Sequence, residues 1–230
     1  MHIGLIGGIG PAATLSYYSK LTTRARQGGA ALDLTIVHAE IATLVANLRA
    51  DRRDAQARVY APLIQRLAAA GADAIAITSI GGSFCEEETR AISPLPLISA
   101  PGAVDSYAAA EGLGTIGLLG TVSAMQSRLF GHLKQTAALV PEDDFDAVGQ
   151  AYLETAMTGD CPAGRREFFF QAGRAMIARG AEAIVLAGTD LGVAFEGHDP
   201  GYRVIDAVDA HVDMLYRLAT GASELDTDAI

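Results

Sequence analysis

One strand-forming passage occurs twice in this chain, and that repetition limits the fold more than any other feature. Residues 71–79 read GADAIAITS and residues 180–188 read GAEAIVLAG. Each copy follows a helix-like run (RLAAA, then AMIAR), opens on Gly-Ala-acid, and continues as an apolar strand. The strand then ends on a small residue, Ser79 in the first copy and Gly188 in the second. Ligands of open parallel sheets collect beyond the carboxyl ends of the strands. The repeat therefore predicts two related halves, with Ser79 and Gly188 on opposite walls of one inter-domain cleft. Neither residue is a strong acid or base.

The remaining pattern alternates short apolar runs with longer amphipathic ones, the signature of an α/β protein with parallel sheets. Strands are expected at 2–7, 33–38, 73–78, 96–99, 114–120, 136–140, 182–187 and 203–206. Their Ile, Val, Leu and Ala content suits strands covered on both faces. Helices are expected near 11–27, 54–70, 84–92, 102–111, 121–134, 145–158, 163–179 and 206–219, with Pro11 in a first turn and Pro101 at a helix start. Two pseudo-symmetric Rossmann-like halves follow. The first spans 1–99 plus a returning C-terminal helix in 206–230, and the second spans 100–205. The polar, acidic stretch 222–230 is expected to fray.

Charge and composition exclude several classes. A formal net charge of −10 without a Lys/Arg stripe argues against nucleic acid as a partner. No apolar run approaches the roughly 20 residues that span a bilayer, so no membrane partner is expected. The opening MHIGLIGGIG lacks a basic leader and reads as a buried first strand. Cys85 and Cys161 have no metal-ligand spacing, and the histidines and carboxylates are too scattered to argue a metal site. A cytoplasmic location is the expectation.

Several loops after predicted strands can carry chemistry. In GGIGPAAT (7–14), Gly8 allows close backbone approach at a helix N-terminus, with Thr14 beside it; the loop fits a carboxylate or small anion, or a tight turn alone. It matches neither a dinucleotide fingerprint nor a P-loop. In TSIGGSFC (78–85), Ser79 and Ser83 offer hydroxyls, and Cys85 falls where a helix dipole would lower its pKa. The structural alternative makes Ser83 and Glu86 a capping box and Cys85 a small buried hydrophobe. In AGTDLG (187–192), the Gly188 and Thr189 amides can hold a carboxylate and Asp190 an ammonium, or Thr189 and Asp190 can cap a helix. His38 ends the second strand, where it can titrate near neutrality or simply bond a loop.

The opening IGLIGGIGPAATLSYYSKL, together with GADAIAITS, GLLGTVSAM, GAEAIVLAGTDLG and VIDAVDAHVD, resembles the aspartate/glutamate racemase superfamily, in particular its aspartate racemase branch. The likeness spans nearly the whole chain. It implies a cleft for a small amino dicarboxylate, PLP-independent chemistry with no cofactor, and a homodimer. It also implies a pair of cysteines, one after each repeated strand, that take the α-proton from one face and return one to the other. By register those positions fall at Ser79 and Gly188, and both thiols are missing. In a racemase-family protein that binds a small carboxylate or amino acid, Gly8, Thr14, Ser79, Thr121 and Thr189 would be the expected ligand contacts.

A thiol with a pKa of roughly 8.5 ionises readily near neutrality, whereas a serine hydroxyl costs on the order of 5 kcal/mol more. Gly188 has no side chain to act. The expected function is thus an amino-acid racemase-like isomerase with altered or lost two-base chemistry. Ser79, Asp190 and Cys85 are its candidate catalytic groups, and Gly8, Thr14, His38, Ser83, Thr121, Gly188 and Thr189 its candidate contacts. The alternatives are a decarboxylase, lyase or cis-trans isomerase of a small diacid, using Cys85, His38 or Asp190 as proton donor, and a non-catalytic binding protein.

Overall fold

The computed structural model describes residues 1–225; residues 226–230, part of the tail expected to fray, lie outside the described residues. The chain forms two compact units, Met1–Ala100 with the chain from His211 onward, and Pro101–Ala210.

The first unit holds strands β1 (His2–Gly7), β2 (Asp33–His38), β3 (Ala74–Ile77) and β4 (Leu97–Ile98) in one parallel sheet of order β2-β1-β3-β4. The second holds β5 (Thr115–Gly120), β6 (Ala137–Leu139), β7 (Ala183–Ala187) and β8 (Val204–Asp206) in the order β6-β5-β7-β8. Adding four to each strand number converts one sheet into the other. The inner strands β1, β3, β5 and β7 are almost wholly buried, as continuous apolar runs require. The edge strand β2 departs from the expected two-sided cover, for Asp33, Ile36 and His38 are exposed along it.

The Gly-Ala-acid opening of the repeated passage has a physical reason at each of its three positions. Helices α3 (Arg53–Ala69) and α8 (Ala163–Ala178) precede it. Gly71 (φ 87°) and Gly180 (φ 104°) end these helices in the left-handed region that favours glycine. The next alanine closes each stop: the Ala72 N–H donates to Leu67 O and the Ala181 N–H to Met176 O, both at 3.0 Å. The acid then secures the neighbouring strand. Asp73 accepts the His2 N–H at 2.7 Å, and Glu182 accepts those of Gly114 and Thr115 at 2.6 and 2.8 Å. Gly-Ala-acid is thus a helix stop followed by a clamp on the strand next door.

The other helices are α1 (Pro11–Gln27), α2 (Ile41–Arg49), α4 (Glu86–Ile92), α5 (Ala100–Ala110), α6 (Val122–Gln126), α7 (Phe145–Thr158), α9 (Gly192–Phe195) and α10 (Ala207–Thr220). Several details differ from expectation, the short α9 among them, which was not anticipated. Helix α2 was not anticipated; its apolar residues Ile41 and Val45 remain exposed, so it is a shallow surface helix. The helix expected over 121–134 stops at Gln126, because Arg128, Leu129 and Phe130 all take positive φ (48°, 55° and 59°). Such a turn costs about 1–2 kcal/mol per residue. Burial of Leu129 and a bond from the Phe130 N–H to Ser127 Oγ at 2.9 Å offset that cost. The capping box at Ser83 and Glu86 does not form either. Ser83 lies inside a 3-10 turn (Gly81–Cys85), and the Glu86 carboxylate accepts from Arg90 Nη2 at 2.8 Å and Ser99 Oγ at 2.9 Å instead.

Helix α10 packs on the first unit through a buried histidine. His211 Nε2 lies 3.2 Å from Ile98 O, and Nδ1 lies 2.8 Å from the Tyr17 hydroxyl. A carbonyl only accepts, so Nε2 carries the proton and Nδ1 accepts from Tyr17. Burial lowers the His211 pKa from 6.5 to about 4. The unfolded chain binds this proton near pH 6.5 and the folded one only near 4, so the contribution of neutral His211 is whole above 6.5 and lost as pH falls towards 4. That loss is about 3 kcal/mol. Urea unfolding at pH 7 and pH 4.5 is expected to show a smaller acid-induced loss in His211→Gln than in the wild type. Equal losses would refute this account.

Candidate active site

The pairing register fixes which residues of the two units correspond. Ile3 pairs with Ala74 and Ile6 with Ile77; in the second sheet Ile116 pairs with Ala183 and Leu119 with Leu186. Continuing each central strand past its last pairing makes Thr78 the counterpart of Ala187, and Ser79 that of Gly188. The equivalence expected from the repeat thus holds within each sheet.

At the carboxyl end of the first sheet, Thr14 is the centre of a small hydroxyl network. Its Oγ1 accepts the Gly8 N–H at 2.9 Å and lies 3.0 Å from Thr78 Oγ1, whose own hydroxyl is 3.2 Å from Ile6 O. The Gly8 amide, expected to face a ligand, is therefore already held by Thr14. The His38 imidazole lies against Gly8 so closely that a side chain there would collide with it. Ser79 is half-buried, and its Oγ accepts the Gly82 N–H at 3.3 Å. No described group accepts the proton of Ser79.

Ser83 and Cys85 lie deeper. Ser83 is buried, and Cys85 is 0% exposed with Sγ 3.7 Å from Gly82 O and 3.6 Å from Thr89 Oγ1. Burial pushes the Cys85 thiol up to about 11, against the lowering expected from a helix dipole. The residue is a small buried hydrophobe with its S–H satisfied.

In the second sheet the corresponding end is built differently. Thr121 caps α6, its Oγ1 accepting the Ala124 N–H at 3.2 Å. Gly188, Thr189 and Asp190 are half-buried, the last two in a 3-10 turn that has no side-chain cap. Asp190 instead accepts the Tyr152 hydroxyl at 2.8 Å. Tyr152 is buried on α7, and burial, then the Asp190 charge, hold its pKa well above 10. The ring covers Gly188: a Cβ built there would lie 2.5 Å from both Tyr152 Cε2 and its hydroxyl. The Gly188 backbone (φ −175°) is extended and suits any residue, so it is Tyr152 that demands glycine. Sequence reasoning did not single out Tyr152, since nothing in a helix over 145–158 shows which strand end it reaches.

Among the described residues no group of three or more His, Cys, Asp or Glu is placed to hold a metal, and no helix is long and apolar enough to cross a membrane.

The Asp/Glu/hydantoin racemase family model matches residues 6–215. The chain belongs to that family. Solved structures share the racemase fold at low identity. A candidate Asp/Glu racemase from Yersinia pestis is 22% identical over 95% of this chain and 99% of its own, with a TM-score of 0.85. The aspartate racemase homologue from Pyrococcus horikoshii OT3 is 23% identical over 95% and 98%, with a TM-score of 0.81. The Picrophilus torridus aspartate racemase is 19% identical over 100% and 98%, at 0.70. No curated protein matches the sequence significantly.

Proposed function

We infer that this racemase-family protein binds a small amino acid or dicarboxylate at the loops closing the carboxyl ends of its strands. It acts there as a cofactor-independent, racemase-like isomerase whose two-thiol proton transfer is altered or lost. The observation that carries this reading is the register that makes Ser79 and Gly188 equivalent, with no thiol at either. Ser79 and Thr189 are half-buried and available to a ligand, while Asp190, equally half-buried, is held on the Tyr152 hydroxyl. The reading in which Cys85 protonates a diacid after decarboxylation or elimination needs an accessible thiol, and this one is 0% exposed. Homodimeric assembly is part of the same proposal and rests on the family likeness.

Isothermal calorimetry with L- and D-aspartate and L- and D-glutamate tests the binding half directly. At least one is expected to bind, while its inversion, followed by polarimetry, is slow. Failure of all four to bind would defeat the reading. Fast inversion abolished by Ser79→Ala would instead show Ser79 to be a full catalytic base.

A further inference from the structure

The two equivalent strand ends differ in where their hydroxyl comes from. In the first unit the position carries its own, Ser79 Oγ. In the second the position is glycine, and the hydroxyl that fills the space arrives from α7 as Tyr152, within 2.5 Å of where a side chain at 188 would begin. Its proton is directed at Asp190, two residues beyond Gly188, at 2.8 Å. Tyrosine hydroxyls also lie over Gly28 (Tyr216) and Gly173 (Tyr202), so a ring above a glycine is not by itself distinctive. What sets Tyr152 apart is that its hydroxyl stands at the strand end equivalent to Ser79 and donates to a half-buried carboxylate there.

We propose that the Tyr152 phenol, held on Asp190, is the proton-transferring group of the second unit's strand end, acting on the α-carbon of a small carboxylate. The proposal rests on the ligand class inferred above and adds the group that does the chemistry. The α C–H bond breaks and its electron pair stays on carbon, delocalised into the adjacent carboxylate. The proton bonds to the Tyr152 oxygen while the phenol's own proton passes to the Asp190 carboxylate. The reverse sequence returns a proton to the same face, so no oxidant or cofactor is consumed. Before the reverse step the protons on Tyr152 and Asp190 swap along their hydrogen bond, and Asp190, being half-buried, exchanges with water, so the proton returned to carbon comes from solvent. The high pKa of Tyr152 keeps the phenol protonated between cycles and makes free phenolate unnecessary. Asp190 acts through Tyr152 and is a positioning residue; Tyr152 is the catalytic one.

The test is α-deuterium incorporation in D₂O, by proton NMR, into whichever aspartate or glutamate enantiomer binds, with its dissociation constant measured alongside. The wild type is expected to exchange the α-proton with retention of configuration. Tyr152→Phe keeps the ring and is expected to lose at least about 100-fold of the exchange rate, the usual weight of one general acid–base group, with binding unchanged. Asp190→Asn is expected to lower the exchange rate without changing the dissociation constant, and Asp190→Glu to restore much of it; a structural role would give no such rescue. Gly188→Ala, which pushes the phenol aside, is expected to slow exchange as well. Exchange that survives Tyr152→Phe overturns the proposal, as does a wild type that binds without exchanging, and both leave the binding reading intact. Absence of binding overturns the binding reading, and this proposal with it.

Discussion

Asp105→Ala is expected to be among the most destabilising single substitutions in the second unit, costing about 3–5 kcal/mol. Asp105, buried on α5, collects the chain that leads into β6. It accepts the N–H groups of Lys134 at 2.8 Å, Gln135 at 3.0 Å and Thr136 at 3.0 Å, and the Thr136 hydroxyl at 2.6 Å. Each buried donor left without a partner costs about 1–3 kcal/mol, with water recovering part of this at the more exposed Lys134 and Gln135. For a chain of this size the change corresponds to a melting point lower by about 10 °C. Asp105→Asn, which retains one acceptor oxygen, is expected to lose less. Calorimetric melting of both variants checks this, and a shift below 2 °C for the alanine variant would contradict it.

The second large effect belongs to Glu86 in the first unit. Its carboxylate is 2% exposed and bonds Arg90 Nη2 at 2.8 Å, Arg90 Nε at 3.3 Å and Ser99 Oγ at 2.9 Å. Removing one partner of a buried ion pair strands the other charge, so Glu86→Ala is expected to cost about 3–5 kcal/mol. Replacing both charges with apolar residues of similar volume, Glu86→Leu with Arg90→Met, is expected to recover most of that loss. Urea midpoints of the single and double variants decide it. If the double variant is no more stable than Glu86→Ala, the cost arises from packing around α4 and not from a stranded charge.

These two carboxylates show where a linear reading of the chain stops. Ser83-x-x-Glu86 has the spacing of a capping box, but Glu86 had better partners in Arg90, one helical turn on, and in Ser99 beside β4. Asp105 gave no signal, because its partners lie about thirty residues away. Helix α2 did carry a signal in the helical spacing of Ile41, Leu44, Val45 and Leu48, although two of these stay exposed. The bounds expected for α1, α7, β1 and β2 hold, since Pro11, the glycine after Thr158 and the alternation of apolar runs are local signals.

The same division runs through the candidate site. Helix stops at Gly71 and Gly180, buried strands between them and their neighbours, and the matching of Ser79 with Gly188 were written in the chain, because backbone sterics and apolar burial act over a few residues. The filling of the Gly188 position by Tyr152, the capture of that phenol by Asp190 and the burial of Cys85 needed the folded chain. They depend on which helix face meets which strand end, and residues 152 and 188 become neighbours only when α7 packs over the sheet.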